Sequence, residues 1–175
     1  MIGLKRGTVA LLPHDEQWEK IAADTIIELK NIFGKTAIDI QHVGSTAIKR
    51  IKAKPIIDIA VGVEDIMLVL KKLPMLERAG FSSSYNRFNT DLLYIANDNE
   101  NRRTHQIHIL NYDSEQWHNF VDFRDYMNCN YKKAKEYEKL KIKLAFENST
   151  CQSDYTDGKH YYMQDILKEI KHNNS

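Results

Sequence analysis

The first long hydrophobic pattern in the chain has the periodicity of an amphipathic helix. Apolar side chains recur every three or four residues from Trp18 to Phe33, and Gly34 follows directly. Asp15 stands where a helix cap is expected, two residues after Pro13. We therefore predict a core-facing helix that ends at Gly34. The short apolar run at residues 9–12 predicts a brief strand or extended arm that Pro13 ends.

The next two segments have the patterns of strands. Residues 37–43 alternate, which places Ile38 and Ile40 on one face and polar side chains on the other. Pro55 marks the start of a second strand that runs to about residue 63. This second run is almost continuously apolar, which is typical of a central strand covered on both faces.

The remainder predicts a helix, a hairpin and three further helices. Residues 65–78 have a helical pattern that Pro74 kinks or splits and Gly80 ends. Residues 91–96 and 103–110 predict two strands around a polar turn, and hence a hairpin. The last third predicts helices from Ser114 to about residue 126, over residues 131–147 and over residues 158–170.

This order of elements defines the expected fold class. Strands and helices are mixed without strict alternation, and the hairpin makes the sheet at least partly antiparallel. We predict an α+β protein with a small mixed β-sheet packed by helices and a helical C-terminal portion. A length of 175 residues favours one domain over residues 1–175.

Composition narrows the function classes. A formal net charge of +1 argues against a dedicated nucleic-acid coat, so nucleic acid is an unfavoured partner. No run approaches 18 apolar residues, and the first residues lack a signal-peptide pattern, so we expect no membrane association. The two cysteines form no CxxC motif, which favours a reducing compartment and predicts a cytoplasmic location.

Candidate chemistry concentrates between residues 42 and 63. Gly44-Ser45-Thr46 forms a turn between a strand and a short helix, and backbone N–H groups in such turns bind phosphate. Asp58 interrupts a β-branched run, and local conflicts of this kind favour functional sites. A carboxylate opposite the turn can hold Mg²⁺ that bridges phosphates. The arrangement suits phosphoryl or nucleotidyl transfer.

Two histidines on a predicted strand are candidates for the same site. His105 and His108 are three residues apart, so their side chains point to opposite faces. If Ile107 and Ile109 face the core, His108 lies on the other face, which Asp58 also occupies by alternation. We therefore expect Asp58 and His108 to meet if their strands are neighbours.

Five motifs occur in a characteristic order. They are HVGSTA at residues 42–47, AKPIIDI at 53–59, RTHQIHI at 103–109, FRDY at 123–126 and YEKLK at 137–141. Together they resemble the GrpB-like family over residues 11–170. This resemblance implies the nucleotidyltransferase-like fold of the polymerase-β-like superfamily.

The chain departs from the superfamily signature at one metal position. The signature has Gly-Ser, a spacer of about a dozen residues, and two acids separated by one residue; Gly44, Ser45 and Asp58 match it. Ala60 occupies the position of the second acid. Lys49-Arg50-Ile51 also replaces the Pro-Gly-Leu that the GrpB-like pattern usually has. Two-metal transfer needs ligands for two cations, whereas one aspartate with histidines suits one metal.

These observations predict binding of a nucleotide or other phosphate-bearing small molecule with a divalent metal, Mg²⁺ or Mn²⁺. The superfamily resemblance implies nucleotidyl transfer as a further activity, and whether the protein transfers anything stays open. Asp58 and His108 are the predicted metal ligands and catalytic residues. The predicted phosphate contacts are Gly44, Ser45, Thr46, Lys54, Arg103 and Arg124.

Several alternatives stay open at this stage. Ala60 favours a non-catalytic ligand-binding module with a degenerate transferase site. An RNA-binding accessory protein would use the basic loop and the Lys-rich helix at residues 132–143, although the near-zero net charge argues against it. Arg124 and Asp125 alternatively form an internal ion pair, and Tyr137 and Lys141 alternatively pack in the core with the lysine reaching out to solvent.

Overall fold

The computed structural model describes residues 1–5, 7–84, 92–98, 100–147 and 152–173. The strands are β1 (Leu4–Lys5), β2 (Ala37–Val43), β3 (Ile57–Val63), β4 (Ser82–Ser84), β5 (Leu92–Asn97) and β6 (Arg102–Asn111). The α-helices are α1 (Gln17–Phe33), α2 (Leu73–Arg78), α3 (Glu115–Cys129), α4 (Tyr131–Glu147) and α5 (Gln152–Asn173). Short 3₁₀ helices cover Gly34–Thr36, Ser45–Ala47 and Ile66–Lys72.

The six strands form one mixed sheet, as predicted. Its order is β2-β3-β6-β5-β4, with β1 paired to the N-terminal end of β6. Strands β3 and β6 run parallel, and the other pairs are antiparallel. The predicted hairpin is β5–β6; the predicted start of its first strand, residue 91, lies outside the described residues. The register places Ala60 of β3 opposite His108 of β6.

Strand β3 is buried on both faces, which confirms its predicted central position. Ile57, Ile59 and Val61 face the main core, where they pack with α1. Ala60 faces the other side, in a smaller cluster with Val43, Leu110 and Trp117. The sheet is therefore a layer between α1 and the C-terminal helices.

The C-terminal helices form their own apolar cluster. Residues from α3, α4 and α5 pack around Ile48 and Ile51 of the loop that follows β2. The loop is thereby anchored to the helical portion of the chain, so that portion fixes the position of the segment leading into β3.

The predicted helices are confirmed, and the largest change of boundary is at the start of α5. Asp15 accepts a hydrogen bond from the N–H of Gln17 at the start of α1 (3.0 Å), and Ser114 caps α3. The helix predicted to start at Gly158 begins at Gln152 instead. A side chain on Gly158 would approach Leu144 Cδ2 to 2.5 Å. Gly158 therefore permits close packing of α4 and α5 rather than marking a helix start.

Two other sequence predictions are corrected. Alternation predicts that Ile38 shares the core face with Ile40, but Ile38 is 53% exposed. A bulge between Ala37 and Asp39 reverses the alternation there. Of the two alternatives for residues 9–12, a brief strand or an extended arm, the strand is wrong, because the described residues there contribute only a single bridge between Leu12 and Ala53. Pro74 splits the predicted helix as expected, since a 3₁₀ helix ends at Lys72 and α2 begins at Leu73.

Across the described residues, each helix is too short or too polar to cross a membrane.

Candidate functional site

Gly44 and Asp58 are in direct contact at the end of β2. Val43, the last residue of β2, pairs with Asp58 of β3. Gly44 has φ of 70°. A Cβ at this position would lie 2.8 Å from the Cβ and Cγ of Asp58 and closer still to Oδ2. Only glycine combines this backbone conformation with the close approach of the aspartate side chain.

Hydrogen bonds of Thr46 and His42 stabilise the turn that starts at Gly44. Thr46 is fully buried, and its hydroxyl donates to the carbonyl oxygen of Ile56 (3.2 Å). Because the Thr46 hydroxyl proton is used in this hydrogen bond, Thr46 Oγ1 can only accept from His42. His42 Nε2 therefore donates a hydrogen bond to Thr46 Oγ1 (3.0 Å). Burial lowers the pKa of His42 to about 4, so the ring is neutral at pH 7. The predicted phosphate contact of Thr46 is therefore limited to its backbone.

Asp58 and His108 meet on one face of the sheet, as the strand alternation predicts. His108 Nε2 lies 3.2 Å from Asp58 Oδ1. A carboxylate only accepts hydrogen bonds, so the Nε2 atom of His108 carries the proton and donates the bond to Asp58. The His108 ring packs on Phe120, with centroids 4.6 Å apart. His105 lies on the opposite face, 3.1 Å from Thr25 Oγ1, and takes no part in the site.

Two lysine side chains interact with this carboxylate. Lys54 is half-buried, and its Nζ lies 4.3 Å from the centroid of the buried Tyr155 ring. Lys159, from α5, places its Nζ 4.8 Å from the same centroid. Arg103, at the start of β6, adds its charge to the environment of Lys54. The site thus combines two lysines with one carboxylate, and Arg103 lies close enough to affect Lys54.

The pKa values show how closely these groups interact. Burial, and then the charge of Lys159, lowers the pKa of Lys54 to about 7, against the opposing effect of Asp58. Burial also lowers the pKa of Lys159, again opposed by Asp58. Both lysines therefore lose much of their hydration and have Asp58 as their shared negative neighbour.

Sequence reasoning missed Lys159. It lies in α5, a segment outside the five motifs, and nothing in its local pattern distinguishes it from other surface lysines. The available signal was its spacing of four residues from Tyr155, which places both side chains on one helix face.

The guanidinium group of Arg124 forms hydrogen bonds with acceptors of the protein itself. Its guanidinium donates to Gln41 Oε1 (2.9 Å), to the carbonyl oxygen of His42 (2.8 Å) and to Asp125 Oδ1 (2.8 Å). The ion pair with Asp125 joins adjacent residues of α3 at the surface, whereas the alternative expected ion pairs with other helices. These bonds tie α3 to the end of β2, and they make Arg124 a support for the turn.

The loop between the turn and Lys54 is held by side chains of the C-terminal helices. Asn128 accepts from the N–H of Lys49 and donates to the carbonyl oxygen of Ala47. Glu138, Lys135 and Lys141 bond to backbone groups of residues 50–52. Lys141 is buried and lies over Tyr137, so it packs in the core as one alternative proposed but does not reach out to solvent.

The donor set does not fit the two-metal centre of the superfamily, and it supplies only two side chains for the single divalent metal that the sequence predicts. Asp58 and His108 supply one carboxylate and one imidazole, and Ala60 is buried where a second carboxylate is required. Within the described ranges, no group of three His, Cys, Asp or Glu side chains is arranged to hold a metal. Mg²⁺ and Mn²⁺ prefer several oxygen ligands, so we assign no step to a metal.

Comparison with solved structures defines the fold class. A structure of Cid1 in complex with its short product ApU matches 77% of this chain and 42% of its own, with a TM-score of 0.53 and 18% identity. The fold is therefore nucleotidyltransferase-like.

The GrpB protein family model matches residues 8–169, and the chain belongs to this family. A GrpB crystal structure from Enterococcus faecalis has a TM-score of 0.84 and 27% identity, and the match covers 95% of this chain and 100% of that one. The glutamate-rich protein GrpB of Alkalihalophilus pseudofirmus is 38% identical over 97% of this chain and 100% of its own length.

Proposed function

We propose that this protein binds the phosphate groups of a small molecule, of the nucleotide class, between the Gly44 turn and Asp58. The observation that carries the proposal is the pairing of Lys54 and Lys159 at the Tyr155 ring, 4.3 and 4.8 Å from its centroid, with Asp58 as the carboxylate that interacts with both. Removing cations from water is costly unless an opposite charge compensates. One carboxylate compensates one of the two lysine charges, and a phosphate group would compensate the other.

The proposed roles follow from position. Lys54, Lys159 and Arg103 neutralise phosphate oxygens, and the backbone N–H groups of Gly44 and Ser45 act as neutral donors. Thr46, His42 and Arg124 keep the turn in place. The nucleotide class is favoured because Cid1, which shares the fold, was captured with the nucleotide product ApU.

The proposal is one of binding and includes no transfer step. Ala60 supports this choice, since it removes the second carboxylate of the superfamily signature. The Asp58–His108 pair has the composition of a general acid–base pair, and its catalytic role stays a prediction. Sustained product formation that Asp58→Asn abolishes would establish it.

The RNA-binding alternative is weakened by the Lys-rich helix α4. Lys133 pairs with Glu169 (2.6 Å) and Lys135 with Glu138 (2.8 Å). Lys141 is buried. Lysines that are paired or buried contribute little to counterion release from nucleic acid.

We expect Lys54→Met to weaken the binding of ADP or inorganic pyrophosphate at least about tenfold, the usual scale for one charge-assisted contact. Isothermal titration calorimetry at pH 6.5, where most of Lys54 is protonated, measures this directly.

Lys52→Met is the matched control, because the Lys52 side chain is exposed and only its backbone bonds to α4. It removes the same charge from the same loop and is expected to leave the affinity within about twofold. Equal effects of the two substitutions would contradict the proposed site.

A further inference from the structure

We propose that two residues of the YEKLK motif in α4, Glu138 and Lys141, are positioning residues for Lys54. They hold the loop of residues 47–54, which ends at Lys54, and they act on the anion only through that loop. The inference rests on the proposed function and deepens it, because it assigns the element that keeps one cation of the site in place. It also gives a role to a motif that the proposed function leaves unused.

Helix α4 binds both backbone polar groups of Lys52. Glu138 Oε1 accepts a hydrogen bond from the N–H of Lys52 (2.5 Å), and Lys141 Nζ donates one to the Lys52 carbonyl oxygen (2.5 Å). Glu138 and Lys141 are three residues apart on the helix, so their side chains leave it on one face. The backbone is therefore fixed by α4 two positions before Lys54.

The burial of Lys141 indicates that its bond to the loop matters. Lys141 is 1% exposed, and its Nζ lies 4.7 Å from the centroid of the Tyr137 ring. Across the described residues, it forms no ion pair with a carboxylate at 4.0 Å or less. Burial of an ammonium group is costly, and an apolar side chain would avoid this cost. The bond to the Lys52 carbonyl oxygen is the contact that an apolar residue could not supply.

The end of the loop is held by a second set of contacts. Ala53 exchanges two backbone hydrogen bonds with Leu12, each of 2.9 Å. Lys54 follows directly, and its Nζ reaches the Tyr155 ring of α5 at 4.3 Å from the centroid. The backbone that carries Lys54 is thus ordered before an anion binds. This order lowers the entropy cost of binding, because the lysine is already close to its bound position.

Glu138→Met and Glu138→Gln separate the bond to the loop from the charge of Glu138. Both substitutions remove the negative charge, but only glutamine keeps an oxygen that can accept from the N–H of Lys52. We expect Glu138→Met to weaken pyrophosphate binding about fivefold or more, measured by calorimetry at pH 6.5. Glu138→Gln is expected to stay within about twofold of wild type.

Lys141→Met tests the other bond to Lys52. Methionine has a similar length and no charge to bury, so we expect this variant to fold with an unchanged or higher unfolding midpoint. Its affinity for pyrophosphate is expected to fall about fivefold or more. Lys139→Met, at an exposed position of the same helix, removes the same charge and is expected to leave the affinity within about twofold.

Proton uptake shows whether the effect passes through Lys54. Burial lowers the pKa of Lys54 to about 7, so the amine of the free protein is mostly neutral at pH 8. A loop released from Glu138 exposes this amine to water, and its pKa rises toward the ordinary value. We therefore expect less proton uptake per bound sulfate at pH 8 in Glu138→Met than in Glu138→Gln. A merely structural role of Glu138 would lower the unfolding midpoint and leave proton uptake unchanged.

The outcomes separate this inference from the proposed function. Wild type that binds neither pyrophosphate nor sulfate would overturn both. Binding by wild type that Glu138→Met and Lys141→Met leave within about twofold would overturn this inference alone. Weaker binding by Glu138→Met with the same proton uptake as Glu138→Gln would also overturn it. Weaker binding by both methionine variants, with retained affinity in Glu138→Gln and reduced proton uptake in Glu138→Met, supports both.

Discussion

Ala60→Asp is expected to lower the free energy of unfolding by about 4 kcal/mol or more, the scale for burying an uncompensated carboxylate. Ala60 is fully buried on β3, and its neighbours on that face are Val43, Leu110 and Trp117. These apolar side chains cannot pair with the new charge, and His108, which lies opposite Ala60, is already bonded to Asp58. Urea unfolding monitored by circular dichroism measures the change.

The control for this prediction is Ala60→Ser, which adds a polar atom but little volume and no charge. Its cost is expected to be about 1–2 kcal/mol. Restoration of the superfamily's second acid therefore damages the fold rather than recreating a metal site. An Ala60→Asp protein with wild-type stability and a new affinity for Mg²⁺ would contradict this account.

Gly44→Ala is expected to have the second largest effect, a loss of about 2–4 kcal/mol. Two causes add: φ of 70° is unfavourable for alanine, and the new Cβ would overlap the Asp58 side chain. Asp58 would have to move, so we also expect loss of ADP binding. Urea unfolding and calorimetry on one preparation measure both effects.

Gly80→Ala separates these two causes. Gly80 also has a positive φ, of 89°, but a Cβ at this position would meet none of the described residues beyond its chain neighbours within 4 Å. Its expected cost is about 1 kcal/mol, the cost of the backbone conformation alone, with unchanged ADP binding. If Gly44→Ala and Gly80→Ala lower the free energy of unfolding by the same amount, the contact between Gly44 and Asp58 contributes nothing to the cost of Gly44→Ala.

The fold was largely predictable because its main elements have strong local patterns. The apolar run of β3, the helical period of α1 and the Gly44 turn each depend on neighbouring residues in sequence. The face of Ile38 is predicted wrongly because a one-residue bulge reverses the alternation of side chains along β2. The local sequence pattern does not indicate this bulge. The start of α5 is misplaced because Gly158 serves packing against Leu144, a contact between helices.

The site was predictable only where alternation within strands determines it. Counting residues places Asp58 and His108 on one face, and they meet at 3.2 Å. Lys159 was missed because it reaches the site from α5, far away in sequence. The family resemblance suggested a ligand contact for Arg124. Its hydrogen bonds to Gln41 and His42 depend on long-range packing, so the sequence did not predict them.

The central claim is that the Lys54 ammonium contacts a bound anion. The charged or titratable groups that face Lys54 are Asp58, Arg103, Lys159 and Tyr155. With a pKa of about 7, Lys54 in the free protein is about 90% neutral at pH 8. An anion favours the charged form and raises this pKa, so binding must take up a proton at pH 8.

The most direct test is calorimetric titration with sulfate at pH 8 in two buffers of different ionisation enthalpy. Sulfate does not titrate in this range, so any proton uptake comes from the protein. We predict that wild type takes up about 0.9 proton more per bound sulfate than Lys54→Arg, which stays charged. Sulfate binding with equal proton uptake in the two proteins would contradict the account.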